Sequence, residues 1–329
     1  MAQRLPVAQI TGNSKGKLNL ESPGFVECTV DSQYCDRLAS QYPVLPYRKD
    51  GKLLFPLGRF RGVWSTVELR MAYEHGYSIA DVGDTVYFSC KAVFEKYVKS
   101  LYELRDKSRS DYDETLSRIA KLLLNATYGK FGTNRQREKL WVRPSLHDII
   151  EKKMMPLQGP LTLPVFVEQV QCEASYILPH LAAWITALGR IRLLRYIYSC
   201  KLPVYYTDTD SLFTCDTLET STELGGLKEE YNGITQARFA LPKVYRLQRV
   251  NGDVTSRVKG FSTFGRGFVG EVEALQRGES VTCSAFSKMR TVFRGDFGLI
   301  TRQKRLRGED EKRIFAEDGS SVPITVREA

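Results

Sequence analysis

Apolar residues recur at helical spacing in three stretches of the chain. In "SCKAVFEKYVKSLYELRDK" (residues 89–107) the apolar side chains fall on one side of a helix: Val93, Phe94, Tyr97, Val98, Leu101 and Leu104. A second stretch runs from about Asp113 to Thr127, and "SRSDYDE" links the two. A third, "HLAAWITALGRIRLLRYIYSC", occupies residues 180–200. The pattern predicts a helical hairpin and, further along, a long helix.

Strand patterns occupy other parts of the chain. "FVECTV" (25–30) reads as a strand, and "KVYRLQRVNGDVTSRVKGF" (243–261) reads as two strands around the hairpin dipeptide Asn251-Gly252. Residues 133–172 are polar and lack clear periodicity, which favours an irregular insertion. The tail from about 275 reads as helical in places and is basic at "RQKRLR". Trp64 and Trp184 are expected in the core.

Composition narrows the class of protein. The 329 residues are 42% hydrophobic, enough for two or three subdomains with their own cores. A formal charge of +10 favours a polyanionic partner, either nucleic acid or an acidic membrane surface. Seven cysteines without a CxxC pair and only three histidines argue for reduced thiols and against a zinc cluster. With no signal peptide or membrane span, we expect a soluble cytoplasmic protein without a membrane partner.

Two aspartates stand two positions apart in "YYTDTDSLFT" (205–214). The flanking residues favour strands and Asp-Thr-Asp favours a turn, so Asp208 and Asp210 would lie at the tip of a hairpin. Two carboxylates this close repel each other unless a cation neutralises them, and their hard oxygens suit Mg²⁺ or Mn²⁺. A metal site and a solvated acidic turn are the two interpretations that the pair alone allows.

The helix "RIAKLLLNATYGKFG" carries a polar face of unusual composition. At 100° per residue Arg118, Lys121, Asn125 and Tyr128 fall together, opposite the apolar face, and Gly129 follows. Cations bind phosphates, an aromatic ring is a platform for a base or sugar, and glycine lets the backbone approach a ligand closely. This face suits a nucleoside triphosphate. The alternative is an ordinary surface stripe with a half-buried tyrosine.

A third candidate is the ribbon around "KVY". There Lys243 and Tyr245 would alternate onto one side of a strand, with Lys259 of "VKGF" on the partner strand. A basic, aromatic ribbon can follow a phosphate backbone without reading its sequence.

Taken in order, these motifs resemble those of family B DNA polymerases. "YTDTDS" (206–211) matches the YxDTDS palm motif, "KLLLNATYG" (121–129) resembles the Kx₃NSxYG fingers motif, and "KVY" (243–245) resembles the KxY primer-strand motif. Ala126 stands where the family usually has serine. The short spacing and the "NATYGKFG" ending are most similar to the protein-primed branch of phages, other viruses and linear plasmids.

The resemblance implies an α+β right-hand polymerase with an antiparallel palm sheet backed by helices. The implied regions are a palm-proximal insertion (1–80), fingers (81–132), a second insertion (133–172), palm (173–275) and thumb (276–329). Residues 1–80 and 133–172 fall where this branch carries insertions that hold a terminal priming protein. "RQKRLR" would either clamp duplex product in the thumb or form a solvated basic helix.

The resemblance also implies a reaction and residue roles. A primer 3′ hydroxyl would attack the α-phosphate of a dNTP, with two Mg²⁺ or Mn²⁺ ions on Asp208 and Asp210. Lys121 would contact the phosphates, and Asn125 and Tyr128 would shape the base-pair pocket. The other implied nucleotide-binding and primer/template-binding positions are Arg118, Gly129, Tyr206, Thr209, Lys243, Tyr245 and Lys259.

One motif of the family has no counterpart in the 329 residues: DxxSLYP, which supplies a further catalytic aspartate. Asp31 in "VDSQYC" is the nearest candidate substitute. The resemblance therefore suggests the C-terminal part of a split polymerase, whose partner chain would supply the exonuclease domain and the absent aspartate. Two alternatives stay open: a catalytically inactive, polymerase-like protein that binds primer-template DNA, and a fragment of one longer polymerase.

Overall fold

The structure is a computed structural model that describes residues 4–9, 14–156, 164–171, 173–258, 274, 277, 279–286, 299–305 and 312–327. Contacts between Cα atoms divide the chain into two compact units. Unit 1 comprises residues 1–133, 175–228 and 311–329, and unit 2 comprises residues 134–174 and 229–310. Each unit is therefore assembled from segments that are distant in the sequence.

Six helices lie within the described ranges. They are α1 (Arg37–Gln41), α2 (Thr66–Glu74), α3 (Glu95–Ser110), α4 (Glu114–Phe131), α5 (Leu146–Glu151) and α6 (Pro179–Ser199). Side chains at the N-cap begin several of them: Ser65 forms a capping box with Glu68, and Asp113 accepts from the Leu116 N–H at 2.9 Å. None of these helices is both long enough and apolar enough to cross a membrane.

The strands described in unit 1 form one large sheet and three small ribbons. They are β1 (Leu5–Gln9), β2 (Ser14–Lys15), β3 (Gly24–Asp31), β4 (Tyr47–Lys49), β5 (Lys52–Leu54), β6 (Leu57–Ser65), β7 (Ser78–Ala80) and β8 (Asp84–Lys91). In unit 2 they are β9 (Gln136–Val142), β10 (Met155–Pro156) and β11 (Val165–Gln171). Unit 1 continues with β12 (Val204–Asp208) and β13 (Ser211–Thr214), and unit 2 with β14 (Ile234–Leu241), β15 (Val244–Arg249), β16 (Val254–Val258), β17 (Ser280–Phe286) and β18 (Leu299–Arg305). The last three belong to unit 1: β19 (Arg313–Phe315), β20 (Ser321–Pro323) and β21 (Thr325–Arg327).

The large sheet of unit 1 runs in the order β1-β8-β3-β6-β21, with β2 beside β8 and β7 beside β3. Its pairings are antiparallel except for β21, which runs parallel to β6 with Thr325 opposite Leu57. The sheet is thus mixed, whereas the family resemblance implies an antiparallel one. Residues 1–80 supply its central strands β3 and β6, so this part of the chain forms the body of unit 1.

The long helix α6 covers this sheet and joins it to α2. Ile191, Leu194 and Ile197 of α6 belong to the same buried cluster as residues of β3, β6 and α2. Trp64 and Trp184 are 3% and 4% exposed, so both tryptophans lie in the core as predicted. Burial of this many large apolar side chains makes α6 a fixed support for the elements at its two ends.

The predicted helical hairpin is present as α3 and α4. Val98 and Leu101 of α3 are buried, as is Ala120 of α4. The second arm extends beyond the predicted Thr127 to Phe131, whose ring packs on Phe94 at 5.4 Å and whose carbonyl accepts from the Leu178 N–H at 3.0 Å. This bond ties the end of α4 to the start of α6.

Unit 2 contains regular structure where the sequence pattern predicts an irregular insertion. β9, β10 and β11 form a three-stranded sheet beside α5, with Val165, Val167 and Met154 buried. The tail also differs from the prediction: residues 302–305 of "RQKRLR" lie in strand β18, paired with β17, and do not form a helix. The hairpin at Asn251-Gly252 is present as predicted, with Gly252 at φ 84°.

Candidate active site

Asp208 and Asp210 lie at the tip of a two-stranded hairpin, as the sequence predicts. β12 ends at Asp208, β13 begins at Ser211, and these two residues face each other across the ribbon. Tyr206 pairs with Phe213, and their rings lie 5.9 Å apart. Asp208 is half-buried and Asp210 is exposed, so both carboxylates lie where a ligand in solvent can reach the turn.

Thr209 connects the two aspartates in a strained conformation. The Asp210 N–H donates to the Asp208 carbonyl at 2.6 Å, which closes a three-residue turn with Thr209 at φ 57°. A β-branched residue rarely adopts this left-handed backbone, and the cost is about 1–2 kcal/mol. The Thr209 hydroxyl donates to Asp208 Oδ1 at 3.0 Å, which offsets part of that cost and orients the carboxylate.

The base of the hairpin is joined to the end of α6 by Asp216. Asp216 Oδ2 accepts from the N–H groups of Lys201 and Leu202, the latter at 3.0 Å. These two bonds hold the pKa of Asp216 below its ordinary value. The sequence motifs give no sign of Asp216, because its role depends on the register of β12 against β13.

The predicted polar face of α4 is present and exposed. Lys121, Asn125 and Tyr128 are exposed, and Tyr128 retains 39% of its surface. Arg118 is exposed as well, but its guanidinium donates to Glu114 at 2.9 Å, so part of its charge is neutralised one turn away. Gly129 is a helical residue, and a Cβ built there would meet no other described atom within 4 Å. The helix therefore presents a cation, an amide and a ring over open space.

The KVY ribbon differs from its prediction in geometry. Lys243 lies at φ 64° in the two-residue turn between β14 and β15, because Leu241 pairs with Val244. It therefore does not alternate with Tyr245 along a strand. Lys259 falls outside the described residues. This ribbon belongs to unit 2, whereas the aspartate hairpin and α4 belong to unit 1.

The register gives Tyr245 two neighbours that the motif did not predict. Phe239 of β14 and Arg257 of β16 stand directly opposite Tyr245, and the Phe239 and Tyr245 rings lie 6.1 Å apart. The Arg257 guanidinium donates to the Tyr231 hydroxyl at 3.3 Å, and this contact raises the pKa of Arg257. The face thus combines aromatic rings with a guanidinium.

Asp31 does not complete a cluster of carboxylates with the hairpin. Its carboxylate accepts from the Gln33 N–H at 2.9 Å and shapes a local turn after β3. Within the described ranges, no group of three or more His, Cys, Asp or Glu side chains comes together to hold a metal ion. The donors that the hairpin does offer are two carboxylates near solvent. That set fits Mg²⁺ or Mn²⁺, which bind through one or two carboxylates and take the remaining ligands from water and phosphate.

Sequence comparison identifies polymerases as relatives. A family model described as "DNA polymerase type B, organellar and viral" matches residues 1–155. A probable DNA polymerase of Neurospora intermedia is 28% identical over 219 residues, which cover 62% of this chain and 22% of that protein. The DNA polymerase of human adenovirus C serotype 2 is 34% identical over 104 residues, 30% of this chain and 9% of that protein. The chain thus spans about a fifth of the length of the fungal relative and less of the viral one.

Structural comparison confirms the predicted α+β polymerase fold. The phi29 DNA polymerase complexed with primer-template DNA and incoming nucleotide substrates matches 93% of this chain and 55% of its own, with a TM-score of 0.65 and 16% identity. A second complex of the same polymerase with primer-template DNA gives a TM-score of 0.58. Residues 1–155 are therefore similar to the organellar and viral type B DNA polymerases, which agrees with the family that the motifs resemble.

Proposed function

We propose that this chain carries part of the nucleotidyl-transfer site of a DNA polymerase that extends a primer by one dNTP at a time. The observation that supports this most is the pair Asp208 and Asp210 at an exposed hairpin tip. This tip lies within the same unit as the polar face of α4. Attack of the primer 3′ hydroxyl on the α-phosphate forms the new phosphodiester bond and releases pyrophosphate.

The hairpin would hold two Mg²⁺ or Mn²⁺ ions through Asp208 and Asp210. When bound, such ions lower the pKa of the attacking hydroxyl and neutralise charge on the leaving pyrophosphate. The strained turn at Thr209 keeps the two carboxylates close despite their repulsion. Asp208, which accepts from Thr209, is already oriented before the ions arrive, so less ordering is needed on binding.

Residues of α4 would bind the nucleotide, with Lys121 on the phosphates, Arg118 beside it, and Asn125 and Tyr128 around the base pair. Gly129 leaves room for the sugar and base to approach the helix. In unit 2, Lys243 and Tyr245 would contact the primer strand, with Lys259 as a further candidate. Tyr206 and Thr209 would face the primer terminus from the hairpin. Together with the net charge of +10, these contacts favour primer-template DNA as the macromolecular partner.

Further polypeptide would complete the site. Two carboxylates are one short of the three that the family resemblance implies, and no third acidic group joins them among the described residues. We infer that the DxxSLYP aspartate and the exonuclease domain come from polypeptide outside the 329 residues, in a separate N-terminal chain or in a longer form of the same protein. A terminal priming protein is a further proposed partner.

The test is incorporation of a radiolabelled dNTP on a primed template with Mg²⁺. The chain is assayed alone and with an added polypeptide that carries a DxxSLYP motif and an exonuclease domain. We expect activity in the mixture, loss of it in Asp210→Asn, and wild-type activity in Asp318→Asn, a control that removes one charge from an exposed turn. Unchanged incorporation by D210N would defeat the assignment. DNA binding without incorporation under any combination would favour the catalytically inactive alternative.

Direct Mn²⁺ binding gives a second readout that does not depend on turnover. Isothermal titration of the chain with Mn²⁺ should show binding that D210N weakens and D318N preserves. Equal Mn²⁺ affinity in the wild type and D210N would show that the hairpin is not a metal site.

A further inference from the structure

The hairpin that carries Asp208 and Asp210 has little support of its own. β12 and β13 pair with each other and with no other strand in the described part of unit 1. A two-stranded ribbon is marginally stable in water, since each strand lacks a second neighbour. The pairing is also interrupted between Val204 and Tyr206, where the register shifts. The direction in which the tip points must therefore be fixed at the base.

Asp216 makes the contacts that fix this base. It follows β13, and its carboxylate accepts from the N–H groups of Lys201 and Leu202, in the segment between α6 and β12. The Asp216 side chain thus joins the strand that leaves the hairpin to the segment that enters it. Hydrogen bonds to a charged acceptor are stronger than those to a neutral one, so this link is the strongest at the base.

Thr214 extends the same link by one more step. Its hydroxyl donates to the Pro203 carbonyl at 3.2 Å and accepts from the Asp216 N–H at 3.1 Å. The backbone groups of residues 201–203 are therefore held from one side by β13 and its extension. On the other side, α6 ends at Ser199, with Ile197 buried in the core of unit 1. The base of the hairpin is thus held by α6, by Thr214 and Asp216, and at Val204, whose N–H donates to the Tyr42 hydroxyl at 3.3 Å.

We propose that Asp216 is a positioning residue for the proposed metal-binding pair, holding the hairpin at a fixed angle to α6. It touches neither substrate nor metal and acts through the backbone of residues 201 and 202. The effect of Asp216 on catalysis rests on the proposed function. Its effect on the geometry of the hairpin rests on the hydrogen bonds alone.

The experiment uses the full chain in three forms: wild type, Asp216→Ala and Asp216→Asn. Asp318→Ala is the matched control, because Asp318 also accepts from a backbone N–H, that of Ser320 at 2.9 Å, but lies on a separate ribbon. Amide hydrogen exchange is measured peptide by peptide. In D216A, the amides of residues 201–214 should exchange about tenfold faster or more, since charged hydrogen bonds are lost, while peptides of α2 and β3 keep wild-type rates. D216N retains an acceptor oxygen and should fall between the two.

A second readout separates positioning from stability. Mn²⁺ affinity should fall in D216A and fall less in D216N, and in the completed polymerase the kcat of D216A should fall with little change in the KM for dNTP. Unchanged exchange at 201–214, or an equal rise over the whole unit, would overturn the proposal. If D216A does not fold, the same comparison is made with D216N and with Asp216→Glu. The glutamate variant keeps the carboxylate but displaces it by one methylene. Absence of Mn²⁺ binding in the wild type would contradict the proposed function, while the exchange data would still decide the role of Asp216.

Discussion

The Asp210 N–H donates to the carbonyl of Asp208 at 2.6 Å, so the two proposed metal ligands are joined through their own backbone as well as placed side by side. The residue between them, Thr209, takes a left-handed φ of 57° as a consequence. Strain at a functional turn persists when the surrounding structure imposes it, and here the pairing of Asp208 with Ser211 does so.

Replacing Thr209 with glycine should relieve this strain. Glycine adopts positive φ without a Cβ clash, so Thr209→Gly should raise the free energy of unfolding by up to about 1 kcal/mol. Thr209→Val keeps the branched Cβ, loses the hydroxyl that donates to Asp208, and should lower it by about 0.5–1 kcal/mol. Urea unfolding of both variants measures these shifts. A glycine variant less stable than the wild type would show that the hydroxyl outweighs the backbone strain, and one less stable than the valine variant, which also lacks the hydroxyl, would show that the strain is not relieved.

Removal of the Lys121 ammonium should weaken nucleotide binding without disturbing the fold. Lys121 is exposed on α4, so its replacement by alanine costs little folding energy, while a phosphate contact of this kind contributes about 1–2 kcal/mol. In the completed polymerase, K121A should raise the KM for dNTP about tenfold. Steady-state primer extension at varied dNTP concentration measures this. Lys107→Ala, an exposed lysine on α3, is the control and should leave the KM unchanged; an equal rise in both variants would point to general loss of positive charge.

The sequence predicts the helices and the hairpin tips because their signals are local. Periodicity locates α3, α4 and α6, and short turn signals locate Asp208–Ser211 and Asn251-Gly252. The site motifs lie on these elements, so the candidate residues can be named from the sequence alone. The extension of α4 to Phe131 is not predicted, because its last turn depends on packing against Phe94 and α6.

The parts that the sequence does not predict depend on distant pairing. The pattern of residues 136–171 is polar, and it becomes a sheet only because β9 and β11 pair along their full length. Residues 302–305 of "RQKRLR" form a strand because β17 lies beside them. Lys243 is a turn residue and does not lie on the predicted strand face, because of the register of β14 against β15. The hydrogen bonds of Asp216 can be recognised only once β12 and β13 are aligned.

A buried ion pair between α2 and α6 should make a large contribution to the stability of unit 1. Arg190 Nε and Nη2 lie 2.8 and 2.7 Å from Glu68 Oε1, and the Glu68 side chain is 3% exposed. The other Glu68 oxygen accepts from the Ser65 hydroxyl at 2.7 Å. Arg190→Ala leaves this carboxylate buried without its cation, so the free energy of unfolding should fall by about 3 kcal/mol.

Two further variants test the reason for that loss. Glu68→Gln in the R190A background removes the buried charge, and the double variant should regain about 1 kcal/mol or more relative to R190A. Arg118→Ala is the control for an exposed pair: Arg118 and Glu114 are both 81% exposed, and its effect should stay below about 0.5 kcal/mol. Chemical denaturation followed by circular dichroism gives all three values. If the double variant loses as much stability as R190A and Glu68→Gln lose together, the buried-charge explanation is excluded.

The stability of unit 2 should depend on pH through Asp148. Side-chain hydrogen bonds from Lys152 Nζ at 2.6 Å and from the Ser145 hydroxyl lower the pKa of Asp148 from 3.8 to about 2. The folded state therefore binds this proton less readily than the unfolded state. The stability that Asp148 contributes is fully present above about pH 4 and is lost as the pH falls through about 2. Asp148→Asn does not titrate, so its stability should change less over this window.

The indole N–H resonance of Trp141 is a suitable probe, because it donates to Glu168 at 2.7 Å within the same unit. NMR follows the temperature at which this resonance disappears on heating, at several pH values between 5 and 2. As the pH falls, this temperature should fall steadily in the wild type and by a smaller amount in D148N. Asp106→Asn on α3 removes a carboxylate from the other unit and should leave the wild-type pH dependence of this resonance intact. Identical curves for the wild type and D148N would mean that the pKa of Asp148 is the same in the folded and unfolded states, since such a group contributes no pH dependence, and would contradict the prediction.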